Sequence, residues 1–189
     1  IGCGVGGVCR RLRDVWPSIE GWDIALAAIR EAQQNDPCST YVHGAYDQAE
    51  QRTSVALLLD VVEHVDNDVR FLRAVAERCD DLILRVPLDW SLLDQIRPHR
   101  IEQARSQYGH VHIYSRHTLQ KSLREAGLTV LRVAYDRVPP GAPATSWGHL
   151  SGAARRLGGA TVPSVTAWLL GGFSVFVHAR SSIKNQGDL

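Results

Sequence analysis

Methionine is absent from this chain of 189 residues, and aromatic side chains make up only 7% of it. The chain begins at Ile1, inside a glycine-rich stretch that normally follows a buried strand. We therefore expect that an N-terminal segment is missing, together with most of a first strand. If that strand is central to the sheet, the 189-residue chain should fold poorly by itself.

Neither sign of charge is in excess, because 21 Lys and Arg against 20 Asp and Glu leave a net charge of +1 at pH 7. Such a chain has no long-range field that would attract nucleic acid or an anionic membrane. The arginines at positions 10, 11 and 13 are followed at once by Asp14, which is typical of a solvated helix face. We expect no nucleic-acid partner.

Paired cysteines and long apolar runs are lacking as well. The cysteines, at positions 3, 9, 38 and 79, form no C-x-x-C pair and no zinc-ligand spacing, which favours reduced thiols in a cytoplasmic protein. No signal peptide is recognised. The most apolar run, residues 164–179, is shorter than the roughly 18–20 residues of a membrane span. Gly171 and Gly172 interrupt it, so no span is predicted.

The glycine-rich opening, IGCGVGG, fits two templates at once. G-x-G-x-G is typical of a turn that binds a nucleoside, and G-x-G-x-x-G is the dinucleotide fingerprint. Asp23 follows Gly6 by 17 positions and ends an apolar stretch, where a carboxylate can accept both ribose hydroxyls. A tight turn without a ligand and a helix-capping role for Asp23 are the structural alternatives.

Apolar periodicity predicts alternating strands and helices, and hence a parallel sheet covered on both faces. The strands predicted are residues 39–44, 54–60, 81–87, 128–138 and 173–180, besides a short one before Asp23. Predicted helices include one after the glycine loop with Val8, Leu12 and Val15 on one face, and one with Asp66 or Asn67 as its N-cap. Ser115 is expected to cap another helix, and Gly127 to end it.

Four motifs in order give the chain a family resemblance: IGCGVGG, GWDIALAAI, LLLDVVEHVDNDVRFL and YGHVHIYSRHTLQKSLREAGLTVL. Together they resemble class I S-adenosylmethionine-dependent methyltransferases, nearest to the small-molecule O-methyltransferases of quinone biosynthesis. The resemblance implies an α/β, Rossmann-like seven-stranded sheet, parallel except for an antiparallel last strand beside the sixth. It implies one methyltransferase domain over residues 1–180, with a polar tail at 181–189.

The same resemblance implies S-adenosylmethionine as the cofactor and a set of residues that hold it. These are Gly2, Cys3, Gly4, Gly6, Asp23, Ile24, Asp60 and Val61. Relatives often carry an acidic residue after the third strand, near the adenine. Ala45 stands there in this chain, so Tyr46 or Asp47 is expected to substitute.

Methyl transfer needs alignment and a group that takes up the acceptor's proton, a task that suits histidine near neutral pH. The candidates are His112, His110 and His64. Strand-like alternation in GHVHIY would place His110 and His112 on one side. A capping and packing role is the alternative for His64, and a hydrogen-bonded linker for the other two.

No metal site is predicted, although the spacing D-x-x-E-H from Asp60, with a later histidine, resembles a divalent-metal site of some relatives in which the first residue is Glu. Magnesium at Glu63 and His64 stays an open alternative.

The acceptor is expected to be a small molecule, methylated at oxygen and bound by residues 88–114 and 142–172. Trp90, Trp147 and Trp168 would suit an apolar acceptor, although core packing explains them equally well. Three alternatives stay open: an inactive cofactor-binding protein, an RNA methyltransferase and a nicotinamide-dependent oxidoreductase. The sequence does not indicate an oligomeric state.

Overall fold

Strands and helices alternate through the part of the chain that the structure describes. The computed structural model describes residues 1–49, 52–96, 99–137 and 157–183. The first elements are α1 (Gly7–Leu12), β1 (Glu20–Asp23), α2 (Leu26–Asn35), β2 (Thr40–His43) and β3 (Thr53–Leu59). The others are α3 (Asp68–Ala76), β4 (Cys79–Leu88), α4 (Leu92–Ile96), α5 (His99–Tyr108), α6 (Arg116–Glu125), β5 (Leu128–Arg137), α7 (Pro163–Leu170) and β6 (Phe173–Ser181). Short 3-10 turns follow β2 and β3, at Tyr46–Gln48 and Val62–His64.

The six strands of the described ranges form two sheets. β1 and β2 pair in parallel, while β3, β4, β6 and β5 lie side by side in that order. β3 and β4 are parallel, and β6 runs antiparallel to both of its neighbours. The antiparallel last strand is therefore confirmed, whereas a single seven-stranded sheet is not what the described residues form.

A cavity of about 1160 Å³ lies between the two sheets and is lined by residues of both. Trp16 and Trp22 line it from the first sheet's side, and Val55 and Leu57 from β3. The amino group of Ile1 donates to the Leu57 carbonyl oxygen at 2.8 Å. The N–H of Cys3 donates to the Trp22 carbonyl oxygen at 3.0 Å. The first three residues thus connect the two sheets by main-chain hydrogen bonds.

The main hydrophobic core lies around the four-stranded sheet. Alternate residues of β4 and β6, which point to one face of a sheet, are fully buried. They include Leu82, Leu84 and Val86 on β4 and Val175 and Val177 on β6. α3 and α6 contribute Leu72, Val75, Leu119 and Leu123 to the same core. A second, smaller core forms beside β1 and β2 from Cys9, Ile29, Ala32 and Tyr41.

The predicted helix caps are confirmed. The Asn67 side chain accepts a hydrogen bond from the Arg70 N–H at the start of α3. Ser115 and Thr118 form a capping box at the start of α6, each side chain accepting from the other's backbone N–H. Gly127 has φ of 82° directly after α6, the left-handed conformation that favours glycine.

α1 buries a different face from the predicted one. Val8 is 39% exposed and Val15 is 68% exposed, whereas Cys9 is buried. The helix ends at Leu12, so Val15 lies beyond it, and Val8 lines the cavity instead of the core. The predicted apolar face extends past the end of the helix because Val15 follows Leu12 at helical spacing.

Two other sequence-based predictions need correction. β3 is buried on alternate residues only, and Val55 is 36% exposed because it borders the cavity. Residues 88–114, expected from the sequence only to bind the acceptor, contain the helices α4 and α5.

The second segment expected at the acceptor, residues 142–172, includes the helix α7, which begins with Pro163. Its part up to residue 156, with Trp147, lies outside the described residues, as do positions 184–189 of the predicted tail. Among the described helices, none has the length and hydropathy that a bilayer crossing requires.

Candidate functional site

Carboxylate side chains follow the parallel strands at their carboxyl ends. Asp23 ends β1, Asp60 follows β3 and Asp89 follows β4. In open α/β sheets, ligands bind outside this edge. The glycine turn lies at the same edge, because Gly4 contacts Asp23 and Gly2 lies against Val61. The 3-10 turn at Val62–His64 follows Asp60 there.

Two of the three left-handed glycines of the turn pack so closely against other residues that a Cβ would clash there. Gly2, Gly4 and Gly6 have φ of 66°, 52° and 79°. A Cβ at Gly2 would lie 2.5 Å from Val61 Cγ2, and one at Gly6 would lie 2.4 Å from the Tyr41 hydroxyl oxygen. A Cβ at Gly4 would meet nothing within 4 Å. Gly4 is therefore where the turn presents bare backbone to open space.

Asp23 connects this turn to the start of α2. One carboxylate oxygen, Oδ2, accepts the N–H of Gly4 at 2.8 Å, and Oδ1 accepts the N–H of Ala25 at 2.8 Å. Each oxygen of an ionised carboxylate has two lone pairs, so both keep capacity for a further donor such as a hydroxyl. The helix-capping role is thus present, and it leaves room for a ligand role.

Ile24, next to Asp23, is 76% exposed. An apolar side chain of this size beside a carboxylate offers a surface on which an aromatic base can lie. His43 Nε2 lies 3.2 Å from the Ile24 carbonyl oxygen. Open space over Gly4, acceptor capacity on Asp23 and the exposed Ile24 side chain together fit a nucleoside, and so fit an adenosyl group.

The side chains of Cys3 and Tyr46, both predicted to contact the cofactor, are packed within the protein. Burial raises the pKa of the Cys3 thiol to about 11, so this side chain stays uncharged at neutral pH. The Tyr46 ring is buried and packs edge-to-face on Trp22, with the ring centres 5.6 Å apart. Its exposed neighbour Asp47 is therefore the better candidate for a polar contact with an adenine amino group.

Asp60 is engaged by a residue that the sequence analysis missed. Its backbone has φ of 55°, a left-handed conformation that is uncommon outside glycine. Arg85 Nη1 donates to Asp60 Oδ1 at 2.6 Å, and Arg85 also lies 3.5 Å from Asp136. A sequence signal exists, because Arg85 is the one charged residue inside the apolar run LILRVP. Val61 packs on Gly2 and so supports the turn.

A second cluster forms from Glu63, His64 and His110. One ligand-type atom from each residue lies within 4.8 Å of the others. The rings of His64 and His110 meet edge-to-face with centres 5.1 Å apart. Glu63 is 1% exposed, and neither of its carboxylate oxygens has a hydrogen-bond partner among the described residues. Burial raises the pKa of Glu63 to about 7.

Each histidine of this cluster is oriented by an acceptor at Nδ1. His110 Nδ1 lies 2.6 Å from Asp89 Oδ2, and His64 Nδ1 lies 3.2 Å from the Gly109 carbonyl oxygen. An imidazole that donates from Nδ1 keeps a lone pair on Nε2 when it is neutral. Asp89 is a second residue that the sequence analysis missed, and its position directly after a strand, like that of Asp60, is the signal that could have found it.

His112 does not join His110, so the predicted alternation is wrong. Its Nε2 lies 2.8 Å from the Val65 carbonyl oxygen and its ring stacks on Tyr114. The N–H groups of Val111 and His112 both donate to the Glu63 carbonyl oxygen, at 2.8 and 3.1 Å. This double hydrogen bond turns the chain, so the two histidine side chains separate.

Solved structures share this arrangement of strands and helices. Magnesium protoporphyrin IX methyltransferase (ChlM) from Synechocystis PCC 6803, crystallised with SAH, superposes with a TM-score of 0.63 at 17% identity, over 96% of this chain and 72% of that one. An S-adenosylmethionine-dependent methyltransferase from Mesorhizobium loti gives 0.62 at 17% identity, over 95% and 88%. The [4+2]-cyclase SpnF gives 0.65 at 14% identity, over 97% and 73%.

Sequence comparison agrees with the fold. No curated protein sequence is significantly similar to this chain. The profile of a family described as a methyltransferase domain matches residues 1–133, which include the glycine turn, Asp23 and the Glu63, His64 and His110 cluster. With the α/β fold and its antiparallel last strand in place, the chain belongs to the methyltransferase-domain family.

Proposed function

We propose that this chain binds S-adenosylmethionine at the glycine turn and transfers its methyl group to a hydroxyl of a small molecule. The observation that carries the proposal is Asp23, which is fixed by the Gly4 and Ala25 N–H groups beside the open space over Gly4. Of the solved relatives, one is an S-adenosylmethionine-dependent methyltransferase and another was crystallised with SAH.

The residues at the turn have separable tasks in binding. The Asp23 carboxylate would accept the ribose hydroxyls, and Ile24 would lie against the adenine. The bare backbone at Gly4 would let the cofactor approach without meeting a Cβ. When bound, the cofactor supplies a methyl group on a positively charged sulfur, which is already activated for in-line displacement.

Activation of the acceptor is assigned to the second cluster. His64 is exposed, so an acceptor can reach it, and His110 is oriented by Asp89. This pair would take the acceptor's hydroxyl into the site and remove its proton. Oxygen is favoured over carbon as the methylated atom because a hydroxyl loses a proton to a group of this kind near neutral pH.

A second candidate function is catalysis of a reaction other than methyl transfer on the same fold. The structural similarity to a [4+2]-cyclase favours this alternative. An inactive binding protein belongs to the same class. Both alternatives predict binding of S-adenosylhomocysteine without methyl transfer, so binding and turnover have to be measured separately. The near-neutral net charge does not support RNA methylation. The methyltransferase-domain family does not support nicotinamide chemistry.

The test is calorimetry with S-adenosylhomocysteine on Asp23→Asn and on the matched control Asp14→Asn, which changes an exposed aspartate beyond α1. We expect at least a tenfold weaker affinity for Asp23→Asn, since a charged acceptor contributes about 1.5–3 kcal/mol to a hydrogen bond. Equal affinity of Asp23→Asn and the native chain, or binding of NAD in its place, would contradict the cofactor assignment. Release of S-adenosylhomocysteine with a panel of phenols and alcohols then tests methyl transfer.

A further inference from the structure

We propose that Arg85 is a positioning residue for the glycine turn. It holds Asp60 in a left-handed conformation and so keeps Val61 packed against Gly2, which fixes the shape of the turn that the cofactor approaches. The effect on cofactor affinity rests on the proposed function, whereas the contacts themselves lie within this chain.

Asp60 has an unusual backbone conformation. Among the described residues, it is the one non-glycine residue with a positive φ, at 55°. A left-handed conformation is disfavoured outside glycine by a factor of roughly 5–30, because the Cβ approaches the following carbonyl oxygen. Such a conformation persists only where the surrounding contacts determine it, and it is concentrated at functional sites. Contacts to Asp60 therefore have to compensate this cost.

Arg85 supplies these contacts from the neighbouring strand. The Asp60 N–H donates to the Arg85 carbonyl oxygen at 3.0 Å, which extends the pairing of β3 with β4 by one residue. The Arg85 side chain returns to the same residue, because its Nη1 donates to both Asp60 carboxylate oxygens, to Oδ1 at 2.6 Å. The main chain and the side chain of one arginine thus hold a single aspartate.

The Arg85 side chain is itself fixed by two further strands. Its Nη2 lies 3.5 Å from Asp136 Oδ2 on β5, and its guanidinium carbon lies 5.9 Å from the centre of the Phe176 ring on β6. A planar guanidinium can hydrogen-bond to carboxylates and lie over an aromatic ring at the same time, whereas an ammonium offers no such plane. An arginine at position 85 is therefore suited to this task in a way that a lysine is not.

The bend at Asp60 leads directly to the glycine turn. Val61 is the next residue, and a Cβ at Gly2 would lie 2.5 Å from Val61 Cγ2. Gly4, two residues further along the turn, is where bare backbone faces open space, and its N–H donates to Asp23. A change of conformation at Asp60 would move Val61 and release Gly2, so the turn would lose the shape that the cofactor needs.

A second arginine of the same sheet separates this role from ordinary ion pairing. Arg180 on β6 bonds both carboxylate oxygens of Asp81 on β4, at 3.0 and 3.2 Å. Asp81 lies within a regular strand, where it is the register partner of Arg180, so no left-handed residue has to be held there. Exposed ion pairs contribute little to stability by themselves. The two arginines therefore differ in what the backbone of their partner requires.

The experiment measures S-adenosylhomocysteine affinity by calorimetry on the native chain, on Arg85→Met and on the matched control Arg180→Met. We expect the affinity of Arg85→Met to fall by about fivefold or more, because only the fraction of molecules with the left-handed conformation is competent to bind. Arg180→Met should bind as the native chain does. Binding by Arg85→Met at the native affinity would overturn the proposal.

Two double variants isolate the backbone of position 60. Both combine Arg85→Met with loss of the carboxylate, one through Asp60→Gly and the other through Asp60→Ala, so neither contains the ion pair. Glycine adopts a left-handed conformation readily and alanine does not. We expect the variant with Asp60→Gly to bind at least about fivefold more tightly than the variant with Asp60→Ala. Equal affinities would show that the conformation is not what Arg85 provides, and the proposal would fail.

A readout without ligand keeps this inference distinguishable from the proposed function. The nuclear Overhauser effect between the Val61 methyl protons and the Gly2 α protons reports their packing. It should weaken in Arg85→Met and persist in Arg180→Met, and an unchanged effect in Arg85→Met would overturn the proposal. If the native chain binds no S-adenosylhomocysteine while the effect depends on Arg85, the proposed function fails and the positioning role stands.

Circular dichroism confirms that each variant folds. If Arg85→Met does not fold, Arg85→Lys replaces it in both measurements, because it keeps the charge and loses the planar fork. The same weaker affinity and weaker Overhauser effect are expected, and native values of both would overturn the proposal.

Discussion

The histidines near the ends of β3 and α5 differ in orientation because different ring nitrogens are hydrogen-bonded. His110 and His64 have their Nδ1 atoms occupied, by Asp89 and by the Gly109 carbonyl oxygen. His112 has its Nε2 occupied instead, by the carbonyl oxygens of Val65 and Asp66. The first two are oriented toward the Glu63 cluster, whereas His112 ties its segment to the start of α3.

This difference gives a prediction for His112→Ala. We expect it to lower the free energy of unfolding by about 1 kcal/mol, because a side-chain hydrogen bond to backbone carbonyl oxygens is lost. Affinity for S-adenosylhomocysteine should stay unchanged. Chemical denaturation measures the first and calorimetry the second. A large loss of turnover in His112→Ala with unchanged stability would return this histidine to the reacting atoms, as the sequence analysis first suggested.

At the scale of elements, one buried carboxylate binds three side chains around the first sheet. Asp36 follows α2 and is 3% exposed. It accepts hydrogen bonds from the Ser39 hydroxyl at 2.7 Å and from the Tyr41 hydroxyl at 3.2 Å, and it pairs with Arg13 beyond α1. The α1, α2 and β2 segments therefore meet at Asp36.

These contacts make the stability of the first sheet depend on pH. The Ser39 hydroxyl first of all, then Tyr41 and Arg13, lower the pKa of Asp36 below its ordinary value. A carboxyl with a lowered pKa in the folded state stabilises the fold above its unfolded pKa of roughly 3.9, and that contribution is lost as the pH falls through the folded pKa.

Asp36→Asn should therefore lower the Tm at pH 7, and the difference from the native chain should shrink as the pH falls below the unfolded pKa and through the lowered folded pKa of Asp36. Thermal melts at a series of pH values measure this, with the exposed Asp47→Asn as control. A Tm difference that is constant between pH 7 and the acid end would show that packing, not the ionised carboxylate, is what Asp36 contributes.

At the scale of the whole molecule, two cores are held by few connections. The first sheet has its small core around Ile29 and Tyr41, and the four-stranded sheet has the large one. A cavity of about 1160 Å³ lies between β1 and β3. Strand pairing across this space is missing from the described residues, so the cooperativity that a continuous sheet provides is reduced.

We therefore expect the 189-residue chain to lose the first sheet before the second. Amide hydrogen exchange should show β1 and β2 exchanging at lower free energy than β4 and β6, since local stability follows the buried contacts of each unit. Tryptophan fluorescence, compared between the native chain and Trp22→Phe, should report the earlier transition. Coincident transitions by both probes would mean that the chain unfolds as one cooperative unit, against the expectation from its sequence.

The sequence by itself determined the elements, their caps and the family. Apolar periodicity locates α2, α3, α6 and the strands because burial of one face is a local pattern, and Asn67 and Ser115 cap their helices through atoms three residues away. The glycine turn and Asp23 were also recognisable, since their spacing follows from one strand and one turn.

Only the tertiary structure decided the second cluster and the division into two sheets. Glu63 lies beside His110, and His110 beside Asp89, although the members of each pair are far apart in the sequence. Two N–H groups that turn toward the Glu63 carbonyl oxygen bring the histidine there. Periodicity placed His110 and His112 together because it assumes a regular strand, and these hydrogen bonds replace one. The partners of a side chain depend on which segments pack together, and that is decided by the free energy of the whole fold.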